Sequence, residues 1–140
     1  MSMRSAGTFT ETASLKRLDG DAAPFGFDSS SQRLIQCRAL IRRRRIVGDS
    51  LGFHLCQAPA MDILLDLYLA AFEGRVTYVW QSCVAANIPV SSAHRKVTDL
   101  IAKGYIERAG AMSDKRLASI QLSARGRAAL DKLMDRLVQA

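Results

Sequence analysis

The sequence predicts a mainly α-helical domain with one small β-hairpin, an α+β arrangement, and three observations support this. Two segments with helical spacing of apolar residues, 80–86 and 91–103, are separated only by the helix breaker Asn87-Ile88-Pro89. A short β-branched and aromatic run, 76–79, precedes them. Two alternating segments follow them on either side of a polar tip at 109–116. This order of elements is a winged helix-turn-helix.

The charge of the chain is unevenly distributed. The 140 residues suffice for one domain plus tails, and 20 Lys and Arg against 13 Asp and Glu give a formal net charge of +7. Residues 91–127 carry eight basic and three acidic groups, whereas residues 58–90 carry one Arg and three acids. This distribution favours a polyanionic partner for the later half, although charge alone does not separate DNA from RNA or a membrane surface.

Cysteine spacing and hydropathy favour a reducing cytoplasm. Cys37, Cys56 and Cys83 form no CxxC pair and have no His at metal spacing, so we expect neither a disulfide framework nor a metal site, and no cofactor. No run approaches the roughly 18 apolar residues that cross a bilayer. The N-terminus lacks the apolar core of a signal peptide. We therefore expect a cytoplasmic protein without membrane contact.

The chain before the domain divides into a tail and a helix. Residues 1–28 are polar and without periodicity, which predicts a flexible tail in which Phe25 and Phe27 are the only aromatic pair that could dock. Residues 29–57 are predicted to form an arginine-rich helix and a connector. Asp28 or one of the serines 29–31 caps that helix, which runs to Val47 and stops at Gly48.

This first helix is apolar around most of its circumference, which predicts packing between two subunits. Arg42 to Arg45 then follow one another, and four successive helical positions span about 300° of the axis, so these charges cannot share one face. Some of them could reach DNA phosphates, some could pair with acids of another element, and some are simply solvated.

Residues 58–140 are predicted to form the winged helix with a C-terminal helix. Pro59 fits the first turn of a buried central helix that Gly74 ends. Asp62, Asp66 and Glu73 fall within about 40° of one another on this helix. No His, nucleophile or metal pattern accompanies them, so we expect no catalytic residue and interpret the stripe as solvated or as a counter-charge for the arginine run.

The helix from Ser91 to Lys103 has two distinct sides at about 100° per residue. Its inner side is predicted to carry Val90, Ala93, Val97, Leu100 and Ile101. Its outer side is predicted to carry Ser91, Ser92, Arg95, Thr98 and Asp99. Ser91 or Ser92 is predicted to cap the helix and Gly104 to close it. The outer side is therefore free to recognise a partner.

The remaining elements surround this helix. A strand at Val76–Val79 leads into a small helix from Trp80 to Ala86, with Trp80 predicted to pack in the core. Strands at Tyr105–Arg108 and Leu117–Leu122 form the hairpin, and Ser123 caps the last helix.

Three motifs in order carry a family resemblance. They are the helix start Ile88-Pro89-Val90-Ser91-Ser92-Ala93-His94-Arg95, the helix exit Lys103-Gly104-Tyr105-Ile106-Glu107-Arg108, and Asp114-Lys115-Arg116 followed by Gln121-Leu122-Ser123-Ala124-Arg125-Gly126. With them the chain resembles MarR-type winged-helix transcriptional regulators over roughly residues 58–138. The resemblance implies a homodimer on a pseudo-palindromic double-stranded DNA operator, with a recognition helix in the major groove and a wing tip in the minor groove. It also implies helix contacts from Ser91, Ser92 and Arg95, and a wing contact from Arg116 that Asp114 holds by a salt bridge.

The chemistry of these residues agrees with those roles. Arg95 can donate two hydrogen bonds to guanine O6 and N7. Ser91 and Ser92 can bind phosphate beside the free amides of the helix start. A narrow minor groove attracts an inserted Arg such as Arg116. The DNA-binding residues predicted are Ser91, Ser92, His94, Arg95, Lys96, Thr98, Lys103, Lys115 and Arg116. Asp114 supports the wing, Asp99 is expected to orient Arg95, and His94 is packed or contacts phosphate.

Other interpretations accompany this one. Many relatives add a helix after the one that follows the wing, and without it dimerisation is expected to use the helix at 29–47 and the last helix. Family members often bind small phenolic or lipophilic effectors, although no residue marks such a pocket here. A winged helix can instead be a protein-interaction module with its basic first helix on an acidic partner. A redox-responsive regulator would rely on Cys56, since Cys37 and Cys83 are expected to be inert core thiols.

Overall fold

The computed structural model describes residues 28–110 and 118–140. Predictions for Phe25, Phe27 and the rest of residues 1–27, and for the tip residues Asp114, Lys115 and Arg116, lie outside these ranges. The helices are α1 (Ser29–Leu51), α2 (Phe53–Cys56), α3 (Pro59–Glu73), α4 (Ser82–Ala86), α5 (Val90–Ala102) and α6 (Ala124–Gln139). The strands are β1 (Thr77–Tyr78), β2 (Ile106–Ala109) and β3 (Ser119–Leu122). The predicted fold class, mainly helical with a small hairpin in winged helix-turn-helix order, is confirmed.

Helix α1 is longer than its sequence suggested. Asp28 caps it as predicted, because its Oδ1 accepts a hydrogen bond from the Ser31 amide at 2.8 Å. The prediction that Gly48 ends the helix was wrong, since α1 continues through Gly48 to Leu51 and ends at Gly52, whose φ is 99°. Gly48 is buried, and a Cβ there would overlap the ring of Phe53. The glycine therefore provides packing space rather than a helix stop.

Two apolar clusters hold the elements together. One lies between α3, α4, α5 and the sheet and contains Ile63, Leu67, Val97, Leu100 and Ile120. The other joins α1, α3 and α6 and contains Cys37, Leu65, Tyr68, Leu130 and Met134. Helix α3 contributes to both clusters, so it is the buried central helix that was predicted. None of the helices in the described ranges is both long and apolar enough to cross a membrane.

The acidic stripe of α3 pairs with arginines. Asp62 Oδ1 accepts a hydrogen bond from Arg44 Nε at 2.5 Å, and Asp66 Oδ1 lies 3.2 Å from Arg75 Nη2. The counter-charge interpretation of the stripe is therefore confirmed at Asp62, where one arginine of the run reaches an acid on another element. That ion pair fixes the C-terminal part of α1 on the first turn of α3.

The sheet is antiparallel with strand order β1-β3-β2. Thr77 pairs with Ile120, and Ile106 pairs with Leu122. The predicted strands exist with shifted ends. Tyr105 is outside β2 because its amide donates to the Leu100 carbonyl at 3.0 Å and so completes the exit of α5.

Helix α6 begins at a serine cap and contacts both the residue before β2 and helix α1. Ser123 caps it as predicted, accepting from the Gly126 amide at 3.0 Å. A Cβ on Gly126 would overlap the backbone carbonyl of Tyr105, so only glycine allows this approach to the residue before β2. Arg33 of α1 donates to both carboxylate oxygens of Asp135 at 2.8 and 2.9 Å.

The hydroxyl of Tyr68 on α3 makes a further contact with α6. It donates to Asp131 Oδ1 at 2.6 Å. Burial raises the pKa of this tyrosine, and the hydrogen bond to Asp131 raises it further. The hydroxyl therefore keeps its proton and remains a donor that links α3 to α6.

Candidate nucleic-acid interface

The turn between α4 and α5 sets the direction of α5. Asn87 adopts a left-handed conformation with φ 54° and ψ 49°, which a short amide side chain tolerates better than most residues. Pro89 follows as the N-cap of α5 and has no amide hydrogen to continue α4. The predicted break at Asn87-Ile88-Pro89 is confirmed. The two helices of the helix-turn-helix are therefore separated by three residues.

The inner side of α5 is buried in the core. Ala93, Val97 and Leu100 are each at most 4% exposed. The prediction that Val90 belongs to this side was wrong, since 47% of it is exposed. Val90 is the first residue of the helix, one turn before Ala93, and lies beyond the edge of the apolar cluster. The core therefore fixes α5 from its second turn onward.

The outer side of α5 forms one exposed line. Ser91, Arg95 and Thr98 are exposed, and their spacing of four and three residues places them along one side of a helix. Ser92, His94, Lys96 and Asp99 are partly buried beside this line, and Lys103 is exposed at the end of the helix. The structure thus brings together seven of the nine predicted contact residues; the other two, Lys115 and Arg116, lie in the tip.

The start of α5 has no side-chain cap. The prediction that Ser91 or Ser92 caps the helix was wrong, because Pro89 occupies the cap position and both serines lie within the first turn. The Pro89 carbonyl accepts from the Ala93 amide at 3.0 Å, and no described group accepts from the amides of Val90, Ser91 and Ser92. Free amides and two hydroxyls therefore lie together at the positive end of the helix dipole.

Arg95 has a different neighbour from the one expected. Its Nη2 donates to Ser92 Oγ at 3.3 Å. Asp99 was expected to orient Arg95, but its carboxylate lies 3.0 Å from the Lys103 ammonium instead. An acid four residues before a lysine is the favourable order for an ion pair on a helix, so Asp99 pairs with Lys103. The Arg95 guanidinium therefore does not pair with Asp99 and lies on the exposed side of α5.

The described part of the hairpin consists of β2, Gly110 and β3. Glu107 and Gln121 are opposite each other in β2 and β3, and Gln121 Nε2 donates to Glu107 Oε2 at 2.7 Å. Arg108 is exposed on β2, and Gly110 follows that strand with φ 82°. The predicted tip residues Asp114, Lys115 and Arg116 belong to the segment between the two described ranges.

The exposed position of Trp80 corrects another prediction. Trp80 was predicted to pack in the core, but 44% of it is exposed, while its neighbour Val79 is only 2% exposed. A 3₁₀ turn at Val79–Gln81 replaces the predicted start of the α-helix. Because successive residues of a 3₁₀ helix lie about 120° apart, burying Val79 turns Trp80 outward.

Arg125 is a residue whose role the sequence did not reveal. Its Nη1 donates to the Lys103 carbonyl at 2.9 Å, and its guanidinium lies 4.7 Å from the centre of the Tyr105 ring. A cation at the last carbonyls of a helix is stabilising. No local pattern indicates this contact, since 22 residues separate donor and acceptor. Arg125 holds the end of α5 against the start of α6.

Pockets near this surface are modest. A groove of about 310 Å³ is lined by Gln57, Pro59, Ile88, Ser92, Arg95 and Lys96. A cavity of about 450 Å³ lies between α1, α3 and α4, and Arg45, Phe53, Gln57, Asp62, Val84 and Asn87 are among its lining residues. Within residues 28–110 and 118–140, no three His, Cys, Asp or Glu side chains are grouped to hold a metal ion.

Two solved structures are among the structural neighbours of this chain. The chain is similar to a MarR family transcriptional regulator from Silicibacter pomeroyi DSS, with 18% identity, a TM-score of 0.48, and coverage of 85% of this chain and 79% of that chain. It is also similar to a cysteine-to-serine mutant of MarR from E. coli, with 20% identity, a TM-score of 0.46, and coverage of 86% and 79%. No family model and no curated protein matches the sequence. Both neighbours carry the name of the family that the motifs resemble, and a likeness at this identity assigns no residue to a role.

Proposed function

We propose that this chain is a sequence-specific transcriptional regulator of the MarR type that binds double-stranded DNA and has no catalytic activity. Helix α5 enters the major groove, and the tip of the hairpin enters the neighbouring minor groove. The observation that carries the proposal is the division of α5. Ala93 and Val97 are buried in the core, while Ser91, Arg95 and Thr98 form one exposed line.

Arg95 reads bases in this proposal. Its guanidinium lies on the exposed line, with Ser92 Oγ at 3.3 Å and no carboxylate of the described residues within ion-pair distance. A free guanidinium can donate two parallel hydrogen bonds to guanine O6 and N7, which discriminates against other bases by about 1–3 kcal/mol. Thr98, one turn further along, reaches the neighbouring base edge.

The flanking residues position the helix on the backbone. Ser91 and Ser92 offer hydroxyls beside free amides at the positive end of α5, which suits a phosphate. Lys96, Lys103 and the partly buried His94 are phosphate contacts in the same proposal. Such contacts orient a protein on DNA without reading its sequence.

The wing completes the interface. Strands β2 and β3 present the tip, where Lys115 contacts phosphate and Arg116 enters the minor groove with Asp114 holding it. This part rests on the resemblance of Asp114-Lys115-Arg116 to the family motif. A narrow minor groove has enhanced negative potential, so Arg116 would respond to DNA shape more than to base identity.

The proposed protein is a homodimer. Residues 29–57 form its dimerisation helix and connector, residues 58–140 form the DNA-binding part, and residues 1–28 precede them as a tail. The support is an exposed apolar side of α1 that includes Ile35 and Ile46. A small-molecule effector would fit the cavity of about 450 Å³ between α1, α3 and α4, since that cavity touches both parts of the protein.

Binding to duplexes tests the proposal. A selection from random duplexes, followed by fluorescence anisotropy on the recovered sequence, should give affinity that falls steeply with salt. Arg95→Ala should reduce the preference for the selected sequence over random DNA by about 10- to 100-fold. Arg116→Ala should weaken binding mainly at narrow-groove sites. Arg136→Ala, an exposed change on α6, is the control and should leave binding unchanged.

Other outcomes would favour the alternatives. No duplex binding at any salt concentration would sink the proposal, and stoichiometric capture of one acidic protein in its place would favour an interaction module. Equal loss on selected and random DNA would contradict the base-reading role of Arg95. DNA affinity that disappears after peroxide and returns on reduction would point to Cys56, whereas unchanged affinity would remove the redox interpretation.

A further inference from the structure

The arginine run at the end of α1 contains one anchored side chain. Arg44 is partly buried, with its Nε 2.5 Å from Asp62 Oδ1 and its Nη2 3.2 Å from the Cys56 carbonyl oxygen. Arg42, Arg43 and Arg45 are exposed. Since Arg44 points toward α3, the positions of its neighbours around the helix are fixed as well.

The anchored arginine places this part of α1 beside the helix-turn-helix. Asp62 lies one turn after Pro59, and Pro59 shares a groove with Ser92, Arg95 and Lys96 of α5. Arg45 shares a cavity with Asn87, the residue that ends α4 three positions before α5 begins. Gln57 lines both the groove and the cavity. The groove that Arg95 lines and the cavity that Arg45 lines therefore adjoin at Gln57.

Of the three exposed arginines of the run, Arg45 lines the cavity, and Arg42 and Arg43 are not among its lining residues. At about 100° per residue, Arg45 and Arg43 lie on opposite flanks of Arg44 and about 160° apart around α1. Arg45 lines the cavity next to α4, and Arg43 does not. Among the residues that the structure describes, no carboxylate is within ion-pair distance of Arg45. Its guanidinium therefore has all of its donors available on the side of the turn that precedes α5.

We propose that Arg45 binds a DNA phosphate at the edge of the major groove that α5 enters, so that α1 extends the DNA interface beyond the helix-turn-helix. This inference rests on the proposed function. A guanidinium matches a phosphate with two parallel hydrogen bonds, and the contact carries no sequence information. Asp49 lies four residues after Arg45 and lines the same cavity, so its negative charge opposes an approaching phosphate.

The experiment measures how DNA affinity depends on salt for the wild-type protein and four variants. Each phosphate contact contributes about 0.9 to the slope of log affinity against log salt concentration. Arg45→Gln should lower the slope by about 1 per protomer and weaken binding to selected and random duplexes by the same factor. Arg43→Gln removes an equal charge from the opposite flank and should leave the slope unchanged. Asp49→Asn should strengthen binding to both duplexes.

The outcomes separate this inference from the proposed function. If the wild-type protein binds duplex and Arg45→Gln keeps the full salt slope, the phosphate contact is wrong while the proposed function stands. An equal loss in Arg43→Gln would also overturn it, since the effect would then be one of net charge. Arg45→Lys, which keeps the charge, should retain most of the slope. Wild-type protein that binds no duplex would overturn both proposals.

Discussion

Cys37 is the most deeply buried of the three cysteines. It is fully buried between α1 and α3, and its Sγ lies 3.6 Å from the Leu65 carbonyl oxygen. Burial raises the pKa of this thiol to about 11 from its ordinary value of 9.0. The expected core position is confirmed for Cys37, and its inertness stays a prediction. Cys83, for which the same was expected, is only partly buried, as is Cys56.

Thiol labelling should separate the three cysteines. At about pH 8, N-ethylmaleimide should modify Cys56 and Cys83 in the folded protein and Cys37 only after unfolding, because the thiolate is the reactive form. Mass spectrometry of the digested protein measures how much of each cysteine is modified. The raised pKa also stabilises the fold below about pH 9, and that contribution should be lost as the pH rises through about 11. Native labelling of Cys37 at the rate of Cys56 would contradict this account of its burial.

At the scale of elements, the ion pair of Arg44 and Asp62 connects α1 to α3. Their side chains are 26% and 22% exposed, so removing either one leaves a partly desolvated charge without its partner. A double-mutant cycle with Arg44→Ala and Asp62→Ala should give a coupling free energy of about 1–2 kcal/mol in urea unfolding. The more exposed pair of Asp99 and Lys103 is the comparison and should give no more than about 0.5 kcal/mol. Equal coupling in the two pairs would contradict the anchoring role of Arg44.

Helix and strand positions were predictable where the signal is local. Pro59, Gly74 and Ser123 mark helix ends through backbone geometry or a nearby hydrogen bond, and the structure confirms each of them. Gly48 was predicted to end a helix, as Gly74 does, but it lies inside α1 and makes room for the ring of Phe53. This contact depends on how α2 packs against the end of α1, which the residue type at position 48 does not indicate. The sequence therefore predicted the order of elements and missed the end of α1.

The candidate site also has one part that the sequence predicted and one part that it did not. The exposed line of Ser91, Arg95 and Thr98 follows from helical spacing alone and was predicted. The partners of the charged groups were not, because Asp99 could pair with Arg95 or with Lys103 at equal spacing, and geometry chose Lys103. Trp80 was misplaced because a 3₁₀ turn replaces the start of an α-helix. Choices between local alternatives of similar energy depend on the assembled fold.

For the whole molecule, α1 offers the surface that a second copy would cover. Ile35 and Ile46 are 48% and 55% exposed, and 11 residues of helix place them within about 20° of each other around the axis. Two large apolar residues on one line of a long helix favour an interface. This is the surface on which the proposed homodimer depends.

Sedimentation equilibrium should give a dimer for the wild-type chain at micromolar concentration. The double change Ile35→Glu and Ile46→Glu should give a monomer, because two charges would then be buried in the interface without partners. Ala71→Glu with Ala102→Glu adds the same two negative charges at exposed positions of α3 and α5 and is the control. A wild-type monomer, or a double variant that remains dimeric, would contradict this interface.

The contact of Gly126 with the Tyr105 carbonyl has a mechanical consequence. There is no space at this contact for a side chain between the first turn of α6 and the residue before β2, so we expect the helix and the strand to shift together. With 16 residues, α6 is about 24 Å long. A tilt of about 5° at one end would displace the other by about 2 Å. In the proposed homodimer, a change at the subunit interface that tilts α6 would therefore also shift β2 and β3.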